Sequence, residues 1–302
     1  MNDAITVRAP AKINLHLGVG AALEDGCHPL DTVYQAIGIC DDLVVREADG
    51  WGIGVETAEY VAAEALPAPG DNLVDRAARL LADFHGVRLR GEVGIAKDIP
   101  VAGGLAGGSA DAAAALVALD RLWGVDTADD DLLRIAAALG SDVPFALLGG
   151  TAHGTGRGEV VHRVADAGSW WWVVVPSREG LSTPAVYRHF DALAPDAPKV
   201  PPSSVEVLAA LVAGDPAGLA RALHNDLQAA AVDLRPGLGT LIERGEAEGA
   251  LRGLVSGSGP TVVFLADSAD GARAVASGLR AHHAVVLVAT GAVAGAHVVR
   301  HH

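Results

Sequence analysis

Lys12 and Asp142 are the two residues of this sequence whose types could together activate a hydroxyl group. Lys12 lies in the apolar run 9–15, Ala-Pro-Ala-Lys-Ile-Asn-Leu, and Asp142 lies between a helix stop and Pro144. A lysine that points inward from such a strand must be paired, because an isolated buried charge is costly. A buried pair would join a carboxylate base to a cation that stabilises charge. The spacing leaves two alternatives open: an exposed strand lysine, and a turn or helix-capping aspartate.

Lysine is rare in this chain, with three lysines among 22 basic residues. They are Lys12, Lys97 and Lys199. Lys12 and Lys97 lie beside segments marked by glycine or proline, whereas Lys199 lies in a proline-rich stretch and is read as chance. The rarity favours a specific use of lysine at the first two positions.

The segment 100–115, Pro-Val-Ala-Gly-Gly-Leu-Ala-Gly-Gly-Ser-Ala-Asp-Ala-Ala-Ala-Ala, is typical of a phosphate-binding loop that leads into a helix. Glycines let a ligand approach the backbone, and the alanine run predicts a helix from Ser109. The free N–H groups and the dipole at the start of a helix attract anions. Ser109 could also be a plain N-cap, and the glycines could instead allow close helix packing. The candidate phosphate ligands are Gly103, Gly104, Gly107, Gly108 and Ser109.

Three further features are weaker signals. The glycine turn at 256–260, Ser-Gly-Ser-Gly-Pro, is either an anion nest or a tight hairpin. His28 lies in a loop, where a lone histidine is most often a surface residue. Cys27 and Cys40 have no metal-binding spacing and are expected to act as small apolar residues in a reducing compartment. The sequence therefore predicts no protein-bound metal centre.

The composition is that of a globular protein with a strongly acidic balance. The 302 residues are half apolar and carry a net charge of −15, which argues against nucleic acid or an anionic membrane as partner. The first residues lack the pattern of a signal peptide, and no apolar run approaches the roughly 20 residues of a membrane span. We therefore expect a cytoplasmic protein with a disordered tail at His301 and His302. A phosphorylated ligand would need a locally positive site.

A mixture of strands and helices must position these residues. Pro10 is expected to break the first strand, Asp41-Asp42 to form a turn, and residues 154–158 to form a hairpin. Predicted strands cover 5–8, 13–17, 33–39, 43–46, 51–56, 93–96, 170–175, 254–256, 262–266, 284–290 and 297–300. Predicted helices cover 72–84, 109–123, 129–139, 183–190, 204–213, 216–223, 238–248 and 269–282. Because these elements do not alternate regularly, the fold class is α+β, with domains predicted at 1–157 and 158–302.

Three segments resemble the three motifs of the GHMP kinase superfamily, in the same order along the chain: 9–15, 100–110 and 256–261. The segments 11–15, 25–28, 140–145 and 183–187 are similar to the branch that phosphorylates diphosphocytidyl methylerythritol in the non-mevalonate route to isoprenoids. The resemblance implies a two-domain α+β kinase with its active site in the interdomain cleft. It also implies ATP and Mg²⁺ as cofactors and a small-molecule substrate.

The resemblance implies a role for each residue on the catalytic and nucleotide side. Asp142 would be the base that takes the proton from the substrate hydroxyl, and Lys12 would polarise that hydroxyl. Lys97 and Asn72 would lie near the adenine and ribose. The ATP phosphates would be wrapped by Gly103, Gly104, Gly107, Gly108 and Ser109.

On the substrate side, the resemblance implies that His28 hydrogen-bonds a cytosine and that Tyr187 stacks on it. Asn14 and Thr183 would help to hold the substrate. The family commonly has tyrosine before the histidine, and here that position is Cys27. Cysteine supplies no aromatic face, which is worth about 1–3 kcal/mol when a base stacks on it.

Two other functions remain open at this stage. One is a related superfamily kinase that acts on homoserine or mevalonate, which would not require the pair His28 and Tyr187. The other is a non-catalytic ligand sensor on the same fold, which would not require both Lys12 and Asp142.

Overall fold

The computed structural model describes residues 4–61, 66, 71–101, 103–177 and 180–299. Its strands are β1 (Ile5–Val19), β2 (Leu30–Arg46), β3 (Trp51–Thr57), β4 (Gly91–Lys97), β5 (Thr151–Thr155), β6 (Val160–Arg163), β7 (Trp170–Val175), β8 (His224–Asn225), β9 (Arg252–Val255), β10 (Val262–Ala266), β11 (Leu287–Gly291) and β12 (His297–Val298). Its helices are α1 (Leu73–His85), α2 (Gly107–Trp123), α3 (Asp129–Leu139), α4 (Val143–Leu148), α5 (Thr183–Leu193), α6 (Val205–Ala213), α7 (Pro216–Ala222), α8 (Gln228–Leu234), α9 (Gly237–Ala247) and α10 (Ala269–Arg280). The tail predicted at His301 and His302 lies outside the described residues.

Two long strands, β1 and β2, form the antiparallel pair around which the sheet is built. The predicted strand break at Pro10 is wrong, because β1 continues through it with a register shift between Pro10 and Ala11. A proline is tolerated at such an irregularity, where its missing N–H is not needed. The predicted turn at Asp41-Asp42 is also wrong, since both residues lie inside β2. Buried partners of Asp41 offset the low strand preference of aspartate.

The described strands belong to one twelve-stranded sheet with the main path β12-β1-β2-β11-β7-β10-β9. The second half of β2 pairs with β4, which carries β3, and the first half pairs with β5, which carries β6. The short strand β8 pairs in parallel with β1. The β1–β2 pair therefore contacts elements from early and late parts of the chain.

The helices pack on the sheet in two main apolar clusters. One contains residues of α1 to α4 with β1, β2 and β4, and the other contains residues of α5, α8, α9 and α10. Strand β7 contributes to both: Trp170 and Trp172 face the first cluster, and Val173 and Val175 face the second. Alternate side chains of a strand point to opposite faces. Trp170 and Trp172 are both fully buried.

Most helices lie within a few residues of their predicted bounds. The main differences are α4 and α8, which are too short to show a clear helical periodicity in the sequence. The predicted hairpin is confirmed by β5 and β6, and the absence of regular strand–helix alternation confirms the α+β class. The predicted boundary at 157/158 falls in the β5–β6 turn and stays a prediction. Within the described ranges, no helix is long and apolar enough to cross a membrane.

Candidate active site

A cavity of about 910 Å³ brings the three glycine- or lysine-bearing segments together. Its volume is within the range of small-molecule sites. Lys12 and Asn14 come from β1, the glycines from the loop before α2, and Gly257 and Ser258 from the β9–β10 turn. The same cavity is lined by further predicted site residues: Asn72, Lys97, Gly103, Gly104, Gly107, Gly108, Asp142, Thr183 and Tyr187.

Lys12 and Asp142, which are far apart in sequence, meet in this cavity. Lys12 Nζ lies 3.7 Å from Asp142 Oδ2 and donates a hydrogen bond of 2.7 Å to Asn14 Oδ1. It also lies 5.5 Å from the centre of the Tyr34 ring, within the range of a cation–π contact. The lysine side chain is buried, while that of Asp142 remains 31% exposed. A substrate can therefore reach the carboxylate while the ammonium group stays fixed beside it.

The position of Asp142 in the chain explains why its carboxylate is available. Asp142 is the N-cap residue of α4, but its side chain makes no capping hydrogen bond. Pro144 lies in the first turn of that helix, where a missing N–H costs nothing. The helix therefore starts without the Asp142 side chain, which faces Lys12 instead.

Two tyrosines beside Asp142 are poor candidates for a base. Burial, followed by the effect of the Asp142 carboxylate, raises the pKa of Tyr187 to about 12. The same causes raise the pKa of Tyr34 well above its ordinary value. Both phenols therefore stay protonated at neutral pH. Asp142 is left as the carboxylate next to Lys12 that can accept a proton.

The glycine loop packs directly against the β9–β10 turn. The φ angle of Gly104 is +103°, and a Cβ on Gly104 would overlap the carbonyl oxygen of Ser256. A Cβ on Gly103 would overlap the carbonyl oxygen of Gly259. Ser256 Oγ donates a hydrogen bond of 2.8 Å to the Gly104 carbonyl oxygen. These two glycines are required by a backbone-to-backbone contact, whatever ligand the loop binds.

The other half of the loop begins α2. The predicted start at Ser109 is wrong: α2 begins at Gly107, with Ala106 as its N-cap in the left-handed region at φ 55°. Ser109 is therefore inside the first turn and does not cap the helix. A Cβ on Gly107 would lie 3.0 Å from the Ile99 side chain, whereas one on Gly108 would make only an ordinary contact. The first N–H groups of α2 have no partner within the helix, as at any helix start.

Lys97 lies beneath this loop between two carboxylates. Its ammonium group donates hydrogen bonds of 2.6 Å to Asp41 and to Asp111, and all three side chains are buried. Burial would lower the pKa of Lys97, but Asp111 and Asp41 outweigh it and raise the pKa overall. Burial raises the pKa of Asp111 to about 8, with Lys97 opposing the shift. Asp41 also accepts hydrogen bonds of 2.7 Å from the backbone N–H groups of Asp98 and Ile99. The cluster thus joins β2, the start of the glycine loop and α2.

Replacing Lys97 by methionine is expected to lower the free energy of unfolding by about 3–5 kcal/mol, because the buried acids Asp41 and Asp111 would lose the cation that both of them contact. Urea unfolding without nucleotide measures this effect. Lys199→Met removes an exposed lysine and serves as the matched control. Unfolding of Lys97→Met at the wild-type urea concentration would mean that the cluster does not support the fold.

Asn72, which is predicted to lie near the nucleotide, has a structural role in the free protein. Asn72 caps α1, its Oδ1 accepting a hydrogen bond of 2.9 Å from the Val74 N–H. Apolar side chains of β3 and its surroundings line the cavity near this helix start, among them Trp51, Ile53 and Val55. Such a wall suits a flat base, and the glycine loop borders the same cavity.

The predicted substrate-side residues are tied to the rest of the site. Asn14 holds Lys12 through its oxygen and donates 2.9 Å to Thr32 Oγ1 through its nitrogen. Thr183 Oγ1 lies 2.8 Å from Ser258 Oγ, which links the start of α5 to the β9–β10 turn. Asn225 donates to the backbone oxygen of Val255, at the end of β9, and to that of Gly257 within the turn. The turn is therefore held in place from two sides.

His28 lies behind Tyr187 and is almost fully buried. The two rings are 4.9 Å apart, and His28 Nε2 lies 2.8 Å from Asp191 Oδ1. Among the described residues that line the cavity, Tyr187 is present and His28 is not. The carboxylate of Asp191 engages Nε2 of the ring, so Nδ1 is the nitrogen that this contact leaves unused.

Four residues of the site have roles that the sequence did not predict: Tyr34, Asp41, Asp111 and Arg157. The sequence carries a signal for two of them. Asp111 is the charged residue in an alanine run, and Asp41 is the first of two adjacent aspartates between the apolar segments 36–40 and 43–45. Both are the kind of buried acid that requires a partner. Tyr34 and Arg157 enter the site only through tertiary packing.

Two family models match parts of this chain. The model for "GHMP kinases N terminal domain" matches residues 72–150, and that for "GHMP kinases C terminal" matches residues 207–285. A relative from Nocardioides sp. (strain ATCC BAA-499 / JS614), named 4-diphosphocytidyl-2-C-methyl-D-erythritol kinase, is 68% identical over 97% of this chain and 99% of its own.

Solved structures extend the likeness to the fold. A crystal structure of 4-(cytidine 5'-diphospho)-2C-methyl-D-erythritol kinase has a TM-score of 0.78 at 34% identity, covering 95% of this chain and 99% of that one. The structure of L. major mevalonate kinase has a TM-score of 0.73 at 17% identity, covering 95% and 96%, and is a likeness of fold alone.

Proposed function

The chain belongs to the GHMP kinase family, and from that membership we propose that it transfers the γ-phosphoryl group of ATP to a hydroxyl of 4-diphosphocytidyl-2-C-methyl-D-erythritol. It is a kinase, a phosphotransferase with an alcohol acceptor. The observation that carries the proposal is the approach of Lys12 Nζ to within 3.7 Å of Asp142 Oδ2 in a cavity bordered by the glycine loop. The free thiols of Cys27 and Cys40 support a reducing compartment such as the cytoplasm.

The nucleotide fits one end of the cavity. The apolar residues around β3 would receive the adenine, and the N–H groups at the start of α2 would receive the phosphates. No described group of three His, Cys, Asp or Glu side chains is arranged to hold a metal. A Mg²⁺ ion would therefore be held mainly by phosphates and water, as is common for this ion. It would neutralise part of the phosphate charge, which helps an acidic protein to bind ATP.

The transfer requires positioning and charge stabilisation rather than covalent catalysis. The acceptor hydroxyl oxygen forms a bond to the γ-phosphorus as the bond from that phosphorus to the β–γ bridging oxygen breaks, and ADP leaves. The hydroxyl proton passes to the Asp142 carboxylate. Lys12 lies beside that carboxylate and stabilises the negative charge of the transferring group. Asn14 keeps the Lys12 ammonium in place.

The cytidine end of the substrate would lie at the opposite side of the cavity. Tyr187 offers a face for the cytosine, and His28, which packs behind Tyr187 and outside the cavity lining, would have to be uncovered for its Nδ1 to bond the edge of the base. Thr183 and the β9–β10 turn would contact the part between the base and the alcohol. Since Cys27 supplies no aromatic face, Tyr187 is the stacking partner in this arrangement.

An acceptor panel tests this proposal. The protein is incubated with Mg-ATP and the diphosphocytidyl alcohol, R-mevalonate or L-homoserine, and the release of ADP is followed. We expect turnover with the diphosphocytidyl alcohol alone. Turnover of mevalonate or homoserine without the diphosphocytidyl alcohol would reassign the substrate. ATP binding without turnover of any acceptor would point to a ligand sensor.

A further inference from the structure

The turn between β5 and β6 brings an arginine, Arg157, to the same cavity. The basic residues among its described lining are Lys12, Lys97 and Arg157. Lys12 is committed to Asn14 and Asp142, and Lys97 is enclosed by two carboxylates. Arg157 differs, since 55% of its side chain is exposed. It is the cation of this lining that is best placed to meet an incoming anion.

The guanidinium group of Arg157 has more donors than its protein partner uses. A guanidinium carries five N–H donors in a planar fork. In the described part of the chain, Nη2 of Arg157 donates to Asp25 Oδ2. Asp25 is itself half exposed. The remaining donors suit a phosphate, which arginine recognises through paired hydrogen bonds.

The backbone that carries Arg157 is held in a defined turn. Gly156 and Gly158 adopt φ angles of +71° and +98°, which favour glycine. The Arg157 N–H donates 2.7 Å to Glu159 Oε2, and the Leu30 N–H donates 2.8 Å to the Gly156 carbonyl oxygen. The turn is thereby fixed to the start of β2. The side chain is delivered from a fixed place rather than from a free loop.

The location of Asp25 links this turn to the nucleobase end of the site. Asp25 precedes His28 by three residues, and His28 packs on Tyr187. Tyr187 and the pair Lys12 and Asp142 line one cavity with Arg157. A diphosphate that joins a base at Tyr187 to an alcohol at Asp142 must lie between these two ends. It must also be attracted against a protein net charge of −15.

We propose that Arg157 binds the diphosphate group of the substrate, exchanging with or sharing the Asp25 carboxylate. This inference rests on the proposed function, because it requires a substrate that contains a diphosphate. Arg157 thereby selects acceptors in which an anionic diphosphate separates the base from the alcohol.

The test compares two competitive inhibitors that differ only in their phosphates, CDP and cytidine, in wild type and Arg157→Gln. We expect Arg157→Gln to raise the Ki of CDP and the KM of the diphosphocytidyl alcohol by about 10-fold or more. The Ki of cytidine and the KM of ATP should change by less than about two-fold, since neither depends on this side chain. Arg157→Lys should recover part of the loss, because it keeps the charge but not the fork.

Two control variants make the result specific. Arg121→Gln gives the same change in net charge from an exposed position near the far end of α2, about 20 Å from the start of that helix, and should leave both Ki values unchanged. Asp25→Asn removes the negative charge of the protein partner of Arg157 and should leave CDP binding equal or tighter.

If Arg157 acted only by holding the Asp25 segment, Asp25→Asn would weaken CDP binding as much as Arg157→Gln does. That result, or an equal loss of CDP and cytidine inhibition in Arg157→Gln, would overturn the inference while leaving the proposed function intact. A wild-type protein that neither turns over the diphosphocytidyl alcohol nor is inhibited by cytidine or CDP would overturn both.

Discussion

Asp142→Asn is expected to lower kcat by about 10³-fold, within the range found when a positioned general base is removed. The substitution keeps the size of the side chain and removes its ability to accept the hydroxyl proton. The helix α4 should keep its start, because the Asp142 side chain makes no capping hydrogen bond to it. A modest loss of stability is expected from Lys12, which keeps its hydrogen bond to Asn14 but loses its carboxylate partner. The affinity for ATP should stay within a few-fold of wild type, since the glycine loop is untouched. Steady-state kinetics and direct ATP titration measure the two effects separately.

Asp130→Asn is the matched control, because Asp130 is an exposed aspartate in the first turn of α3 and lies outside the cavity lining. It should retain wild-type kcat. An Asp142→Asn variant with more than about a tenth of wild-type kcat would be incompatible with this residue as the base, given the size of general-base effects.

Gly104→Ala is the second substitution with a large expected effect. Its Cβ would meet the backbone of Ser256 rather than a movable side chain, and its φ of +103° is unfavourable for alanine. Overpacking costs about 1–3 kcal/mol, and the strained conformation adds about 1–2 kcal/mol. The free energy of unfolding should therefore fall by about 2–5 kcal/mol. The KM for ATP should rise because the displaced loop no longer presents its N–H groups to the phosphates.

Substitutions at two other glycines distinguish the loss of the Gly104 backbone contact from the general effect of replacing a glycine by alanine. Gly237→Ala, at the start of α9 with open space around it, should leave stability and kinetics unchanged. Gly108→Ala should keep wild-type stability, because its Cβ would make only an ordinary contact with Leu73. A Gly104→Ala variant with wild-type stability and ATP affinity would refute the required contact between the glycine loop and the β9–β10 turn.

The sequence predicts the local segments of the site better than their assembly. The glycine loop and the apolar strand around Lys12 carry strong local signals, and both line the observed cavity. The meeting of Lys12 and Asp142 is not predictable from spacing, since strand alternation does not specify which face is buried. It depends on the packing of α4 beside β1, which is a tertiary contact.

The wrong predictions, a turn at Asp41 and a helix start at Ser109, also have causes that lie outside the local sequence. Asp41 has a low strand preference, yet Lys97 and two backbone N–H groups hold it inside β2. The start of α2 at Gly107 rather than Ser109 reflects the left-handed conformation of Ala106, which the sequence does not indicate. At Asp41 partners distant in sequence outweigh the local preference, and at the start of α2 an unusual backbone angle does so.

If Lys12, Asp142 and the glycine loop act on one acceptor hydroxyl within a single cavity, a crystal structure with a non-hydrolysable ATP analogue and the diphosphocytidyl alcohol will show them around it. We expect the γ-phosphate between the start of α2 and Lys12, with one acceptor hydroxyl within hydrogen-bond distance of Asp142. An acceptor hydroxyl out of reach of Asp142, with the phosphates bound away from the glycine loop, would contradict it.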